Sequence, residues 1–178
     1  MSNIYYVRHT KVDNPLGLCY GRYDIDLLEA SYKSELSALK KALPFSFTKV
    51  FSSPASRCQR LAKDLSGKIT PILDERLYEM DFGAWEGTPW SQLPREKTQK
   101  WTDDIIHAAP CGGESFEALY RRALQFKSEM KAGLENDDTV LVATHKGVLW
   151  ALLAEFLEVD LKSVLKIDIP YGAIYQFG

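Results

Sequence analysis

The sequence predicts an α/β protein, a three-layer α/β/α sandwich built on a mostly parallel central sheet. Three observations carry that prediction. Strand-like and helix-like patterns alternate along the 178 residues. Two strand runs, "IYYV" (4–7) and "TVLVAT" (139–144), are apolar with little alternation, as in strands covered on both faces. The longest apolar run, "GVLWALLAEFLEV" (147–159), is too short for a bilayer and contains Glu155, so it reads as a core helix.

Each element has its own local reason. The Gly-, Pro- and Asp-rich stretch 13–26 after the first strand is a loop. A helix from about Glu29 to Leu43 sets Leu36, Leu39 and Leu43 on one face and stops before Pro44. "TKVFSS" (48–53) is a second strand. "SPASRCQRLAKDLSG" (53–67) is a helix with Ser53 as N-cap, Pro54 in its first turn and Gly67 at its C-terminal end. "ITPIL" (69–73) is a third strand. Residues 74–113, with Trp85, Trp90 and Trp101, read as a lid-like excursion containing short helices. A long helix capped by Ser115 runs to about Leu134. The strand "TVLVATHKG" (139–147), a helix Val148–Leu157 and a last strand in "GAIYQFG" (172–178) complete the chain. With no repeat, low-complexity tract or linker, residues 1–178 read as one domain.

Composition narrows the function classes. The chain is 46% hydrophobic and 26% charged, an ordinary globular profile. A net charge of -2 without blocks of one sign argues against a nucleic-acid coat or a polybasic membrane anchor. A small molecule is the expected partner, with no nucleic acid and no membrane span, and oligomeric state is left open. Cys19, Cys58 and Cys111 are odd in number and widely spaced, which fits neither a disulfide framework nor a CxxC pair. A cytoplasmic location is expected, since no basic segment, apolar stretch and cleavage site precede the first strand.

The candidate site follows from the strand ends. "YYVRHT" and "VLVATHKG" each place a histidine directly after an apolar strand, so His9 and His145 should meet at one sheet edge. "VFSSPASR" brings Arg57 in the first turn of a helix to the same edge, beside Arg8. Two guanidiniums and two imidazoles on one rim are equipment for holding a phosphate over a nucleophile. His107 lacks this context and reads as a surface residue. The histidines and cysteines have no short metal-ligand spacing. "GGESF" has only part of a serine-nucleophile elbow, and its Ser115 suits a helix cap.

In their order along the chain, "VRHT", "SSPASR", the glutamate of "LYEMDFGAWEG" and "THKG" resemble the histidine phosphatase superfamily, whose fold is phosphoglycerate mutase-like. "LCYGRYDIDL", "EMDFGAWEGTPW" and "PCGGES" are similar in particular to its α-ribazole phosphatases. The resemblance implies that His9 is the nucleophile of a phosphohistidine mechanism needing no metal or cofactor. Arg8, Arg57 and a protonated His145 would stabilise the phosphoryl oxygens. Glu79 would be the proton donor and later the base, with Asp81 and Glu86 as nearby rivals. Tyr20, Gly21 and Arg22 fall where family members contact substrate. Lys146 departs from the small residue frequent after the second histidine and could touch phosphate or face water. "RHTK" lacks the acidic residue of the wider family's "RHGE"; the threonine is shared with the ribazole phosphatases. The implied reaction is hydrolysis of α-ribazole 5′-phosphate or adenosylcobalamin 5′-phosphate. The alternatives are a broad-specificity phosphatase, a mutase, or a phospholigand-binding module without chemistry.

Overall fold

A computed structural model describes residues 2–177. Its sheet has the strand order β3-β2-β4-β1-β5, with β1 at Asn3–Arg8, β2 at Lys49–Ser52, β3 at Ile72–Leu73, β4 at Thr139–Thr144 and β5 at Ile174–Gln176. The first four run parallel and β5 pairs antiparallel with β1. Central β4 lies between β1 and β2, which is why Val140 to Thr144 are all buried.

Side-chain alternation along the strands divides the core into two layers. Ile4, Tyr6, Val140 and Val142 face α4 (Phe116–Ala132) and α5 (Lys146–Phe156). Val7, Val50, Leu141 and Ala143 face α1 (Glu29–Ala42) and α2 (Ser56–Ser66). The expected face of α1 is present: Leu39 and Leu43 are buried and Leu36 packs against them. Along α5, Val148, Leu149, Ala151 and Leu152 are wholly buried, so its long apolar run fills the interior.

The expected excursion contains short 3-10 turns at Glu75–Leu77, Gly83–Trp85 and Trp90–Gln92, then α3 at Arg95–Asp103; the short α6 at Leu161–Val164 follows α5, outside the excursion. Ser115 caps α4 by accepting the Ala118 N–H. Ser53 does not cap α2, which begins at Ser56 after Ala55. The Ser53 N–H instead donates to Ala143 as a continuation of the sheet, at 3.0 Å. Asp24, from the 13–26 loop, accepts the Ser56 N–H and hydroxyl at 3.1 and 2.6 Å. Pro71 supplies no backbone donor, and β3 is confined to the two residues beyond it. Gly178, in the expected last strand, lies outside the described residues. Among the described residues no helix is long and apolar enough to cross a membrane.

Candidate active site

The parallel strands end at a common edge. Arg8 pairs with Thr144 in the last register step, and the His9 N–H continues the ladder to Thr144 at 3.0 Å. His9 and His145 therefore leave adjacent strands side by side, both buried, with ring centroids 5.2 Å apart. His9 Nδ1 lies 2.8 Å from the Thr10 carbonyl. A carbonyl only accepts, so Nδ1 carries the hydrogen and Nε2 keeps its lone pair.

His145 is held in the opposite tautomer. Arg57 can only donate to Nδ1, at 3.3 Å, which leaves Nε2–H to donate to Ser53 Oγ at 2.8 Å. Burial, then Arg57 and His9, push the His145 pKa well below 6.5, so the resting imidazole is neutral. The protonated His145 expected from sequence is corrected accordingly: neutral His145 can still present Nε2–H as a donor. Burial and Arg57 likewise lower His9 well below 6.5, keeping its lone pair available. Cys58 Sγ sits 3.5 Å from His145 Nε2, but burial raises its pKa to about 12, which makes it a packing group and not a thiolate.

These shifts predict a pH dependence of stability. As pH falls below about 6.5 the unfolded chain takes up protons that folded His9 and His145 resist. Each should then cost about 1.4 kcal/mol of stability per pH unit until its depressed folded pKa is reached, with the full contribution present above 6.5. Urea unfolding at about pH 7.5 and about pH 5.5 should show the loss, and equal stabilities would contradict it.

The two arginines are anchored by backbone. Arg57 donates to the carbonyls of Gly21 at 2.6 Å and Tyr23 at 3.2 Å. Arg8 donates to the Ile169 carbonyl at 2.5 Å and lies 3.9 Å above the Tyr171 ring. Each keeps a buried Nε–H without a hydrogen-bond partner among the described residues. An unsatisfied buried donor costs about 1–3 kcal/mol, and an anion beside the histidines would relieve that cost.

Glu79 reaches this edge from the excursion. Its Oε1 accepts the N–H groups of Met80 and Gly147, each at 3.0 Å. The second contact places the carboxylate at the N-terminal, electropositive end of α5. A Cβ on Gly147 would come within 2.2 Å of Glu79 Oε1, so the carboxylate occupies space that only glycine leaves open. Gly147→Ala should displace Glu79 and lower kcat about 100-fold while the circular dichroism spectrum is retained. Unchanged kcat would refute this account of the glycine.

The rival carboxylates have other work. Glu86 accepts backbone N–H groups of Gly21, Arg22, Tyr23 and Phe82 at 2.9–3.0 Å, clasping two loops together. Asp81 accepts the Gly83 N–H at 2.8 Å and lies 3.4 Å from Arg22 Nε. Arg22 thus turns toward Asp81 and does not line the cavity beside the histidines. Gly21 shapes the loop: a Cβ there would lie 1.7 Å from the Met80 carbonyl. His107 is exposed and pairs with Asp104 at 2.8 Å.

The cavity is open to solvent and has a volume of about 210 Å³. Arg8, His9, Tyr20, Glu79 and Lys146 line one part, and Phe82, Trp90, Trp101, Phe116 and Trp150 much of the remainder. Lys146 lies 4.7 Å above the Trp150 ring and 3.6 Å from Asp168. Tyr20 shares a 2.7 Å hydrogen bond with Tyr171. Sequence reasoning missed Ser53 as the partner of His145, Gly147 as the seat of Glu79 and Tyr171 beneath Arg8. Ser53 and Gly147 lie inside motifs already singled out, whereas Tyr171 carries no local signal. Among the described residues no group of three or more His, Cys, Asp or Glu is placed to hold a metal ion.

Adjacent histidines, an arginine pair and a carboxyl thus converge at the carboxyl edge of this sheet. The chain belongs to the histidine phosphatase superfamily (branch 1), whose model matches residues 4–178. It is 31% identical over 178 residues to the adenosylcobalamin/alpha-ribazole phosphatase of Salmonella typhimurium, covering 95% of this chain and 86% of that one. It is 28% identical over 183 residues to a Hydrogenobacter thermophilus protein provisionally named phosphoserine phosphatase 2, covering 99% and 89%. Among solved structures, the alpha-ribazole phosphatase of Shigella flexneri superposes with a TM-score of 0.86 at 25% identity, covering 98% of this chain and 89% of that one.

Proposed function

We propose that the protein hydrolyses α-ribazole 5′-phosphate, or the corresponding adenosylcobalamin phosphate, through a phosphohistidine on His9. The observation that carries the chemistry is the His9 Nδ1 hydrogen bond to Thr10, which leaves Nε2 free to attack. Nε2 forms a bond to phosphorus as the bond to the ester oxygen breaks. Glu79 gives its proton to that leaving oxygen. Water then attacks the phosphohistidine, Glu79 takes the water's proton, and phosphate leaves with His9 restored. Oε1 accepts both the Met80 and Gly147 N–H groups at 3.0 Å, whereas Oε2 has only the longer Gly147 contact at 3.2 Å, so Oε2 is the oxygen assigned to the proton. Arg8 and Arg57 supply donors for the phosphoryl oxygens, and the His145 Nε2–H joins them by exchanging its 2.8 Å bond to Ser53 Oγ for one to phosphate, a positioning and electrostatic contribution.

The aromatic part of the cavity supports the substrate reading. Phe82, Trp90 and Trp101, packed against one another, and Trp150 line the cavity with aromatic surface suited to a benzimidazole-like ring, and residues 74–113 serve as the lid that brings most of them there. Tyr20 and Lys146 are the remaining substrate contacts in this reading; Gly21 shapes the loop, and Arg22 braces it through Asp81. The free cysteines suit a reducing cytoplasm. Lys146 also favours a second reading, a small phosphomonoester carrying a carboxylate, such as phosphoserine. A comparison of kcat/KM across α-ribazole 5′-phosphate, phosphoserine and sugar phosphates separates the two. At least about a tenfold preference for the ribazole ester, roughly 1.4 kcal/mol, is expected. A flat profile, or a preference for phosphoserine, would overturn the assignment.

A further inference from the structure

Glu79 sits in an irregular stretch, between the turns Glu75–Leu77 and Gly83–Trp85, that belongs to neither helix nor sheet. Its backbone position must be set from outside. One side chain does much of this: Arg122, near the middle of α4, which is not among the residues lining the cavity. Its guanidinium donates to the carbonyls of Arg76 at 2.6 Å, Tyr78 at 2.7 Å and Glu79 itself at 3.0 Å. Its remaining N–H groups form a fork onto Glu114, at 3.0 and 2.5 Å. All five guanidinium hydrogens are thereby used. Glu114 then accepts the Asp81 N–H at 3.0 Å, on the other side of the acid.

Both partners of the ion pair are only 15% exposed. A buried pair is weak evidence for stability, because desolvation opposes its attraction. Its geometry has a clearer use, since it ties backbone groups on both flanks of Glu79 to a rigid helix. We propose that Arg122 and Glu114 are positioning residues for Glu79, setting the place where its carboxyl meets the leaving oxygen. This rests on the reading of Glu79 as the proton donor.

The test uses leaving-group dependence. Nitrophenolate leaves without a proton, whereas the alkoxide of benzyl phosphate needs one, so only the second substrate reports on the acid. Phosphorylation of the enzyme is followed in single turnover with both esters in Arg122→Lys, Glu114→Gln and Glu79→Gln. Glu79→Gln should lose about 100-fold or more on benzyl phosphate and little on p-nitrophenyl phosphate. Arg122→Lys should repeat this split, losing about tenfold or more on benzyl phosphate and less than about threefold on the nitrophenyl ester.

Simple destabilisation would depress both rates alike through the fraction folded. Equal losses, or no loss on benzyl phosphate, in a variant with the wild-type circular dichroism spectrum would overturn the proposal. If Arg122→Lys does not fold, Glu114→Gln decides by the same criterion, since its amide oxygen can still accept the Asp81 N–H. A Glu79→Gln variant without a split would overturn the acid reading itself, and the positioning role with it. A split in Glu79→Gln alone would overturn only the positioning role.

Discussion

His9→Ala is expected to lower kcat by about 10⁴-fold or more, because no other group in the cavity offers a comparable nucleophile. The Cys58 thiol, near His145, is fully buried and its pKa is pushed up to about 12. Arg8, Arg57 and His145 remain in the variant, so inorganic phosphate should still bind. Loss of turnover with binding retained distinguishes a missing nucleophile from a collapsed site. The same variant removes one of the two buried histidines, so its acid loss of stability should be shallower than that of the parent. Steady-state kinetics with phosphate titration checks the first point, and substantial residual activity would refute the role of His9.

Glu79→Gln is expected to lower kcat on an alkyl phosphate by about 10² to 10³-fold. The amide oxygen can still accept the Met80 and Gly147 N–H groups that hold Oε1, so the side chain should stay in place. What it loses is the capacity to give a proton to the leaving oxygen and to take one from water. Both half-reactions should slow, and the second should slow even for a substrate whose leaving group needs no acid. Rapid-quench kinetics with p-nitrophenyl phosphate should therefore show a burst of nitrophenol followed by slow turnover. Linear release at the parental rate would contradict the dual role.

The parts of the site legible in the sequence are those that hang on strand ends. The apolar runs before His9 and His145 require adjacent buried strands, and parallel pairing then brings the two rings to 5.2 Å. Arg57 was readable because a helix begins directly after β2. The Ser53 cap was misread because the sheet and His145 use Ser53, while Asp24, 32 residues earlier than Ser56, does the capping. Local propensity cannot reveal such a tertiary substitution.

Glu79 was recognisable only through family resemblance. Its place depends on the Gly147 backbone N–H of α5 and on Arg122, 43 residues away, neither of which has a periodic signal. The rival Glu86 is equally acidic in sequence, and only the four N–H groups converging on it show that it holds loops together. His145 illustrates the remaining difficulty: its position was readable from the strand, but its charge state depends on burial and on Arg57.

The most direct test of the phosphotransfer account is to trap the covalent intermediate. Glu79→Gln is mixed with p-nitrophenyl phosphate, quenched during turnover in mild alkali and digested, and the phosphorylated peptide is identified by mass spectrometry. The account predicts an acid-labile, alkali-stable phosphoryl group on His9, formed at the rate of the nitrophenol burst. A burst with the phosphoryl group on another residue, or turnover with no phosphoenzyme at any time, would contradict it.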